Sequence, residues 1–232
     1  LTYAVVAVIG NSLPFLLITW GQKTIDSALA GILMAIMPLT TLVLAHFFVA
    51  GERMTRNRVA GFALGFMGIV VLMEPAALTG LGGSGRDVLA QLAVLAGAVC
   101  YAAQSVLVRV KLTGNVMVAS AAIITIAAAI SLPIALAVDQ PWKLVPSPAS
   151  FWAVIWIGIG PTAIATLAYL RLIGSAGPTF MSLVNYCVPV VAVFLGVALM
   201  GEVPGAHAYT GLVLILTGIA LSRVRRRRLI FP

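Results

Sequence analysis

AIMPLTTLVLAHFFVAGER, at residues 35–53, is one copy of an internal repeat in which a proline lies inside an apolar run that stops at a Gly-Glu pair. The segment YCVPVVAVFLGVALMGEV at residues 186–203 has the same order of features, and Pro38 matches Pro189 at an offset of 151 positions. Beyond each run the offset is 150, and it pairs Gly61, Leu64, Gly68 and Ile69 with Gly211, Leu214, Gly218 and Ile219. Such self-similarity predicts a duplicated structural unit.

The composition places the chain in a membrane. Of its 232 residues, 62% are hydrophobic and 9% are charged, whereas a soluble domain is about half apolar and a quarter charged. Apolar runs of 17 to 24 residues recur along the chain, and each is long enough to cross about 30 Å of hydrocarbon. We therefore predict an all-α polytopic membrane protein.

The apolar runs predict eight membrane-spanning helices, separated by short polar or Gly/Pro-rich connections. Their approximate ranges are 1–20, 27–49, 56–74, 87–109, 115–138, 150–172, 179–200 and 206–223.

The net charge of +8 indicates topology rather than nucleic-acid binding, because the basic residues lie at helix ends and in a C-terminal cluster. If the C-terminus is cytoplasmic, 11 of the 14 basic residues lie on that side. Only Lys23, Arg86 and Lys143 then face outward, as the positive-inside rule requires. We expect Arg225, Arg226, Arg227 and Arg228 to contact anionic lipid headgroups.

The repeat also predicts an inverted architecture. The first three helices match the sixth to eighth, so the copies are displaced by five helices, and an odd displacement reverses their direction in the membrane. Inverted repeats are typical of secondary transporters. We expect residues 1–79 to be three helices of the first repeat, without its first two helices. Residues 80–224 would be a complete five-helix repeat and residues 225–232 a basic cytoplasmic tail.

The two copies resemble the halves of an EamA-type member of the drug/metabolite transporter superfamily. The resemblance rests on SALAGILMAIMPLTTLVLAHFFVAGERMTRNRVAGFALGFMGIVVL at residues 27–72 and PTFMSLVNYCVPVVAVFLGVALMGEVPGAHAYTGLVLILTGIAL at residues 178–221. It implies ten helices, as two inverted five-helix repeats around a central cavity, in a bacterial inner membrane. It also implies transport, often export, of small metabolites such as amino acids.

The paired prolines give the first candidate site. Proline has no N–H, so Pro38 and Pro189 remove the helical donors of the Met34 and Asn185 carbonyls near the bilayer midplane. A freed carbonyl there must face protein, water or solute. These four residues, with Tyr186 beside Asn185, either present polar groups to a solute or form packing kinks that neighbouring groups satisfy.

A second pair of interruptions lies in the first and sixth helices. IGNSLP at residues 9–14 and GIGPTA at residues 158–163 occupy corresponding positions, and such pairs are the best sequence indication of a transporter site. The alternative is close helix packing, with hydroxyl groups bonded to their own backbone. The candidate pathway residues in this part are Asn11, Pro14, Thr162, Thr166 and Tyr169.

The fourth helix adds Tyr101 and Gln104, which we expect to face the interior because an amide facing lipid is unfavourable. Either contact with solute or a helix–helix hydrogen bond would explain them. Glu52 and Glu202 could form gates, but the stronger interpretation is that Gly51 and Gly201 end their helices in left-handed caps and that the dipole of the next helix stabilises each carboxylate. The sequence predicts no catalytic residues, metal or cofactor.

These observations favour a metabolite transporter that moves a small-molecule solute by alternating access of the two repeats. The resemblance implies export as the direction. Two other classes stay open: an integral-membrane enzyme acting on lipid or an isoprenoid carrier, and a non-transporting membrane scaffold or sensor. The first would need a cluster of carboxylates, histidines or metal ligands at one membrane face. The sequence does not indicate the oligomeric state.

Overall fold

The computed structural model describes residues 1–138, 140–143, 146–201 and 205–223, and these contain helices and connections but no β-strand. Seven helices are long and apolar enough to span a membrane, and α3 is a further helix of 17 residues. The predicted polytopic all-α fold is thus confirmed. The helices are α1 Thr2–Gly21, α2 Ser27–Phe48, α3 Arg56–Leu72, α4 Gly85–Lys111, α5 Val116–Val138, α6 Pro148–Ala176, α7 Pro178–Met200 and α8 Ala206–Arg223.

The most extensive helix pair is α3 with α8, and glycines allow their backbones to touch. A Cβ atom on Gly61 would lie 2.5 Å from the Gly218 carbonyl oxygen, and one on Gly211 would lie 2.8 Å from the Gly68 carbonyl oxygen. The partner numbers fall along α8 as they rise along α3, so the helices are antiparallel. Close approach through small residues is the usual way that membrane helices associate.

The same contacts relate the two copies of the repeat. Gly61 is equivalent to Gly211, and Gly68 is equivalent to Gly218. Gly61 touches Gly218 while Gly68 touches Gly211. The same two equivalent positions are therefore in contact twice, with α3 and α8 exchanged. This is the pattern of a two-fold, self-complementary interface. It agrees with the predicted inversion and with packing of these glycines within the chain.

Helix α4 is the centre of the remaining bundle and packs against α1, α2, α6 and α7. Its small side chains permit this, because Ala90, Ala98 and Ala102 are fully buried. A Cβ atom on Gly21 of α1 would lie 2.8 Å from the Ala90 carbonyl oxygen. The site described below is built around the middle of this helix.

Two apolar cores hold the bundle together. One joins α2, α3, α7 and α8 around Phe62, Tyr186 and Ile215, and the other joins α1, α4, α5 and α6 around Ile123 and Ile173. Helices α5 and α6 are nevertheless mostly exposed. In the most apolar 18-residue stretch of each helix, only 11% and 6% of the residues are buried.

The ends of the helices follow local signals. Thr55 caps α3 by accepting a hydrogen bond from the Arg58 amide at 3.3 Å. Gly51 and Gly201 have φ angles of +84° and +67°, the left-handed conformation predicted for both turns. The Glu52 carboxylate lies 3.9 Å from the Arg58 guanidinium in the first turn of α3, and it also approaches Gly177, just before α7, a contact that was not predicted. Glu202 and the four arginines at 225–228 lie outside the described residues.

Candidate functional site

The matched interruptions of α1 and α6 have the same unusual backbone. Val8–Ser12 and Gly158–Ile164 are both π-helical, within helices that are otherwise α-helical. Pro161 lies within the second segment, and Pro14 lies two residues after the first. Because proline has no N–H, each one interrupts the regular series of helical backbone hydrogen bonds. Short π-helical segments are frequent at functional sites. Both copies of the repeat therefore have an altered backbone at the position that the sequence predicted.

Helix α2 is interrupted at its proline. Its two α-helical parts, Ser27–Met34 and Met37–Phe48, are joined by a turn at residues 35–36. The Ile36 amide donates to the Leu33 carbonyl at 3.3 Å, a bond three residues back instead of four. Pro38, almost fully buried, cannot supply an N–H to Met34. The break therefore lies inside the protein, where an irregular backbone is tolerated.

Helix α7 continues through its proline, since Pro178–Met200 is a single helix with Pro189 inside it. One turn earlier, the Asn185 amide nitrogen donates to the sulfur of Met37 on α2 at 3.0 Å. A thioether is a weak acceptor, so this amide is held only loosely. This hydrogen bond therefore lies near both repeat prolines, since Met37 is next to Pro38 and Asn185 is one turn before Pro189.

Gln104 and Tyr169 form the second polar contact. The Tyr169 hydroxyl of α6 donates to Gln104 Oε1 of α4 at 3.2 Å, and Gln104 is 6% exposed. The Gln104 side chain lies directly against Gly10 in the π-helical segment of α1. Two predicted pathway residues and one matched interruption are therefore brought together.

The two contacts are linked along α4. Tyr101 and Gln104 are three residues apart, so they project from neighbouring faces of one helical turn. Tyr101 and Met34 both pack against the small buried cluster of Met37, Ala98 and Ala102. This cluster joins the middle of α4, where Gln104 accepts from Tyr169, to the contact of Asn185 with Met37. The side chains of Tyr101, Met34, Asn185, Gln104 and Tyr169 are neutral, so a solute in contact with them would meet hydrogen-bonding and apolar groups and no net charge.

Other predicted residues are not in these contacts. Thr162 is exposed and its hydroxyl donates to its own backbone at Ile157 O, 3.0 Å away, which matches the packing alternative. The Tyr186 hydroxyl donates to the Phe62 carbonyl oxygen at 3.0 Å, within the α3–α8 core. Pro14 is buried, Asn11 is half-buried within the π-helical segment of α1, and Thr166 is half-buried just after that of α6.

The sequence did not indicate two of the polar contacts. Met37 receives the Asn185 amide, and Ser12 bonds to Ser131 of α5 at 3.1 Å. A methionine in an apolar run has no pattern that distinguishes an acceptor from a packing residue. Ser131 has no counterpart in the repeat, and its pairing depends on how α1 crosses α5.

Comparison with known proteins decides the family. Residues 1–74 and 88–224 match the EamA-like transporter family, which is most of the chain. The chain belongs to the EamA-like transporter family. This EamA-like chain is 28% identical over 212 residues to the uncharacterized inner membrane transporter YedA of Escherichia coli K12. The match covers 91% of this chain and 66% of YedA, so the chain spans less than two thirds of that relative.

Two further relatives of the EamA-like chain have names that include a solute. It is 28% identical to a probable terminal-alkyne amino-acid exporter of Streptantibioticus cattleyicolor, over 95% of this chain and 71% of that protein. It is 29% identical to the aromatic amino acid exporter YddG of Ancylobacter novellus, over 89% and 70%. One solved crystal structure superposes with a TM-score of 0.82 at 25% identity, covering 95% of this chain and 75% of that one.

Metal ligands are not clustered in the part of the chain that the structure describes. There, no group of three or more His, Cys, Asp or Glu side chains lies close enough to hold a metal ion. Cys100 and Cys187 are half-buried thiols without a disulfide bond.

Proposed function

We propose that this protein is part of a secondary transporter that moves small metabolites such as amino acids out of the cell across the bacterial inner membrane. The observation that carries the proposal is a pair of neutral polar contacts, Tyr169 with Gln104 and Asn185 with Met37, that lie beside the π-helical segment of α1 and the proline break of α2. Solute sites in inverted-repeat transporters lie at midplane positions of this kind.

The contacts in the site suit alternating access. The Asn185 amide rests on the sulfur of Met37, a weak acceptor, so a solute carboxylate or carbonyl oxygen would be a better partner. The proline break in α2 lies next to Met37 and gives the helix a place to bend. Binding of a solute would thus exchange a weak contact for a strong one and favour movement between the two repeats.

The proposed solute is a zwitterionic amino acid with an apolar side chain. Such a molecule has no net charge, in keeping with the neutral lining of Gln104, Tyr169, Asn185 and Tyr101. Met34 and Met37 add flexible apolar surface that adapts to different side-chain shapes. Two relatives are named as exporters of aromatic or terminal-alkyne amino acids, which supports this class of solute.

We further propose that residues 1–79 and 80–224 belong to two inverted repeats, and that two more helices complete the first. Helix α1 is covered by α4 and α5, the first two helices of the second repeat. The equivalent helix α6 leaves most of its apolar surface open, and two further helices would cover it by the same symmetry. The C-terminus would be cytoplasmic, with the basic tail at 225–228 on anionic headgroups.

Flux in proteoliposomes tests the proposal. Asn185→Leu and Gln104→Leu, made in the complete transporter, are each expected to reduce export of labelled aromatic amino acids at least tenfold while the protein stays folded. The matched control is Thr217→Leu, because Thr217 is exposed on α8 and bonds only its own backbone at 2.7 Å. If both variants transport every tested amino acid at the normal rate, the site is wrong.

The same assay separates the other two classes. An enzyme acting on lipid would change the chemistry of labelled phospholipid or isoprenoid carrier in the vesicles and would leave amino-acid gradients intact. A scaffold or sensor would do neither. Amino-acid flux that depends on Asn185 would exclude both alternatives.

A further inference from the structure

A cleft of about 950 Å³ lies away from the polar site, at the end of the bundle where basic residues gather. It is bounded by the α2–α3 turn, the start of α7 and the end of α8. The sequence analysis assigns this end to the cytoplasmic side, because Arg53, Arg56, Arg58 and Arg223 all belong to it. All four arginines line the cleft.

The arginines of the cleft are more exposed to solvent than its acidic residue, Glu52. Arg53, Arg56 and Arg223 are exposed to solvent. Arg58 is half-buried, donates to the Arg53 carbonyl at 3.1 Å and lies 3.9 Å from Glu52. Three exposed guanidinium groups around one cleft give it a strongly positive surface.

Glu52 is the acidic residue among those that line the cleft, and it is turned inward. Its side chain is 14% exposed, its carboxylate approaches Gly177, and one of its oxygens is buried without a hydrogen bond in the described part of the chain. The negative charge is therefore withdrawn from the surface on which the three exposed arginines remain.

The rest of the lining mixes small polar residues with apolar ones. Phe180 and Ala176 are its accessible apolar residues, above the buried Phe62 and Leu183, and the Arg223 guanidinium lies 5.5 Å from the centre of the Phe180 ring. Stacking on an aromatic ring orients a guanidinium group and leaves its N–H edge for an anion. The cleft thus combines fixed positive charge with apolar surface at one end of the membrane-spanning helices.

We infer that this cleft binds the headgroup of an anionic phospholipid, with Arg53, Arg56 and Arg223 on the phosphate and the accessible apolar surface against the glycerol and upper acyl chains. Basic pockets between membrane helices on the cytoplasmic side bind headgroups in this way. A lipid would also cover the accessible apolar surface of Phe180 and Ala176, which a small soluble anion would leave in water, so the combined lining favours a lipid. The proposal does not depend on the transported solute.

Lipid binding to the purified protein tests the inference. Native mass spectrometry would measure the affinity for phosphatidylglycerol, with phosphatidylcholine as the neutral lipid, for the unchanged protein and for Arg53→Gln/Arg56→Gln/Arg223→Gln. The control triple is Arg86→Gln/Lys111→Gln/Arg171→Gln, which removes the same charge outside the cleft. The arginines at 225–228 are kept in every variant, so their contribution is constant.

We expect the cleft triple to lose affinity for phosphatidylglycerol about 100-fold, because each arginine near an anionic surface contributes roughly a fivefold gain. The control triple should lose less than about tenfold in affinity for phosphatidylglycerol. Circular dichroism should find all three proteins equally helical, and the single variant Arg223→Gln should lose about fivefold if the triple proves unstable. Equal affinity for the cleft and control triples would overturn the inference. So would competition by millimolar inorganic phosphate that displaces the lipid, since that would indicate a soluble-anion site.

Discussion

Helices α1 and α6 are copies of one helix in two surroundings. Both contain a π-helical segment at the equivalent position, yet a third of the most apolar window of α1 is buried against 6% in α6. Helix α1 lies against α4 and α5, whereas α6 contacts α5, α7 and part of α4 with few buried side chains. The shared backbone therefore follows from sequence, while burial follows from which neighbours are present.

Helices α3 and α8 are also equivalent in the repeat, but unlike α1 and α6 they have similar surroundings. Each is the other's neighbour, so both bury their glycines. Equivalent helices should then respond equally to substitution at the α3–α8 contact and unequally in α1 and α6.

The largest effect is expected at the α3–α8 contact. Gly61→Leu and Gly218→Leu each place a side chain where the partner's carbonyl oxygen lies 2.5 Å from the Cβ position. The backbone cannot move aside cheaply, so each should destabilise the protein by about 3 kcal/mol or more. The yield of monodisperse protein and its melting temperature would measure this. Gly174→Leu is the control, because nothing lies within 4 Å of its Cβ position, and a loss at only one of Gly61 and Gly218 would contradict their direct backbone contact.

A smaller and unequal effect is expected in the π-helical segments. Gly10→Ala would push into the Gln104 side chain, at a cost of about 1–3 kcal/mol. Gly160→Ala meets only Trp156 at 3.9 Å, so it should be neutral or gain up to about 1 kcal/mol from helix propensity. Thermal unfolding of the two variants in one detergent would compare them directly. Equal destabilisation would mean that α6 is as tightly covered as α1.

Most of the fold could be predicted because it depends on patterns that are local or repeated. The left-handed turns at Gly51 and Gly201 follow from the repeated Gly-Glu pair, while the inversion, predicted by counting helices between Pro38 and Pro189, stays a prediction. The position of Glu52 could not be predicted, since its carboxylate approaches Gly177 of a different repeat and that contact depends on tertiary packing.

The prolines provide the next comparison, because α2 breaks at Pro38 and α7 continues through Pro189. Pro38→Ala restores an N–H for the Met34 carbonyl and should straighten α2, slowing transport roughly tenfold, about 1.4 kcal/mol in barrier height. Pro189→Ala should change the rate less, since the helix is already continuous. Flux and melting temperature, measured together, would separate slow transport from misfolding. A larger effect at Pro189 would assign the moving part to α7 instead.

The site was predictable in part, and the limit is physical. Gln104 and Tyr169 stood out because polar groups in apolar helices need partners, and they proved to be partners of each other. Thr162 has the same character in sequence but satisfies its hydroxyl within its own π-helical turn. Whether a hydroxyl bonds locally or across helices depends on rotation of the helix against its neighbours, which the repeat pattern does not contain.

The smallest effect is expected from removing one hydroxyl at the α4–α6 contact. Tyr169→Phe leaves Gln104 Oε1 without the donor now 3.2 Å away, and such bonds between membrane helices contribute about 0.6 kcal/mol on average. Tyr209→Phe is the matched control, because Tyr209 is 56% exposed. Adding Gln104→Leu completes a double-mutant cycle measured by thermal unfolding. A coupling energy of zero would mean that the α4–α6 contact depends on apolar packing and on Arg109, which donates to the Ile173 and Gly174 carbonyls, whereas a coupling near the average would make the Tyr169–Gln104 bond a second polar link between the two helices.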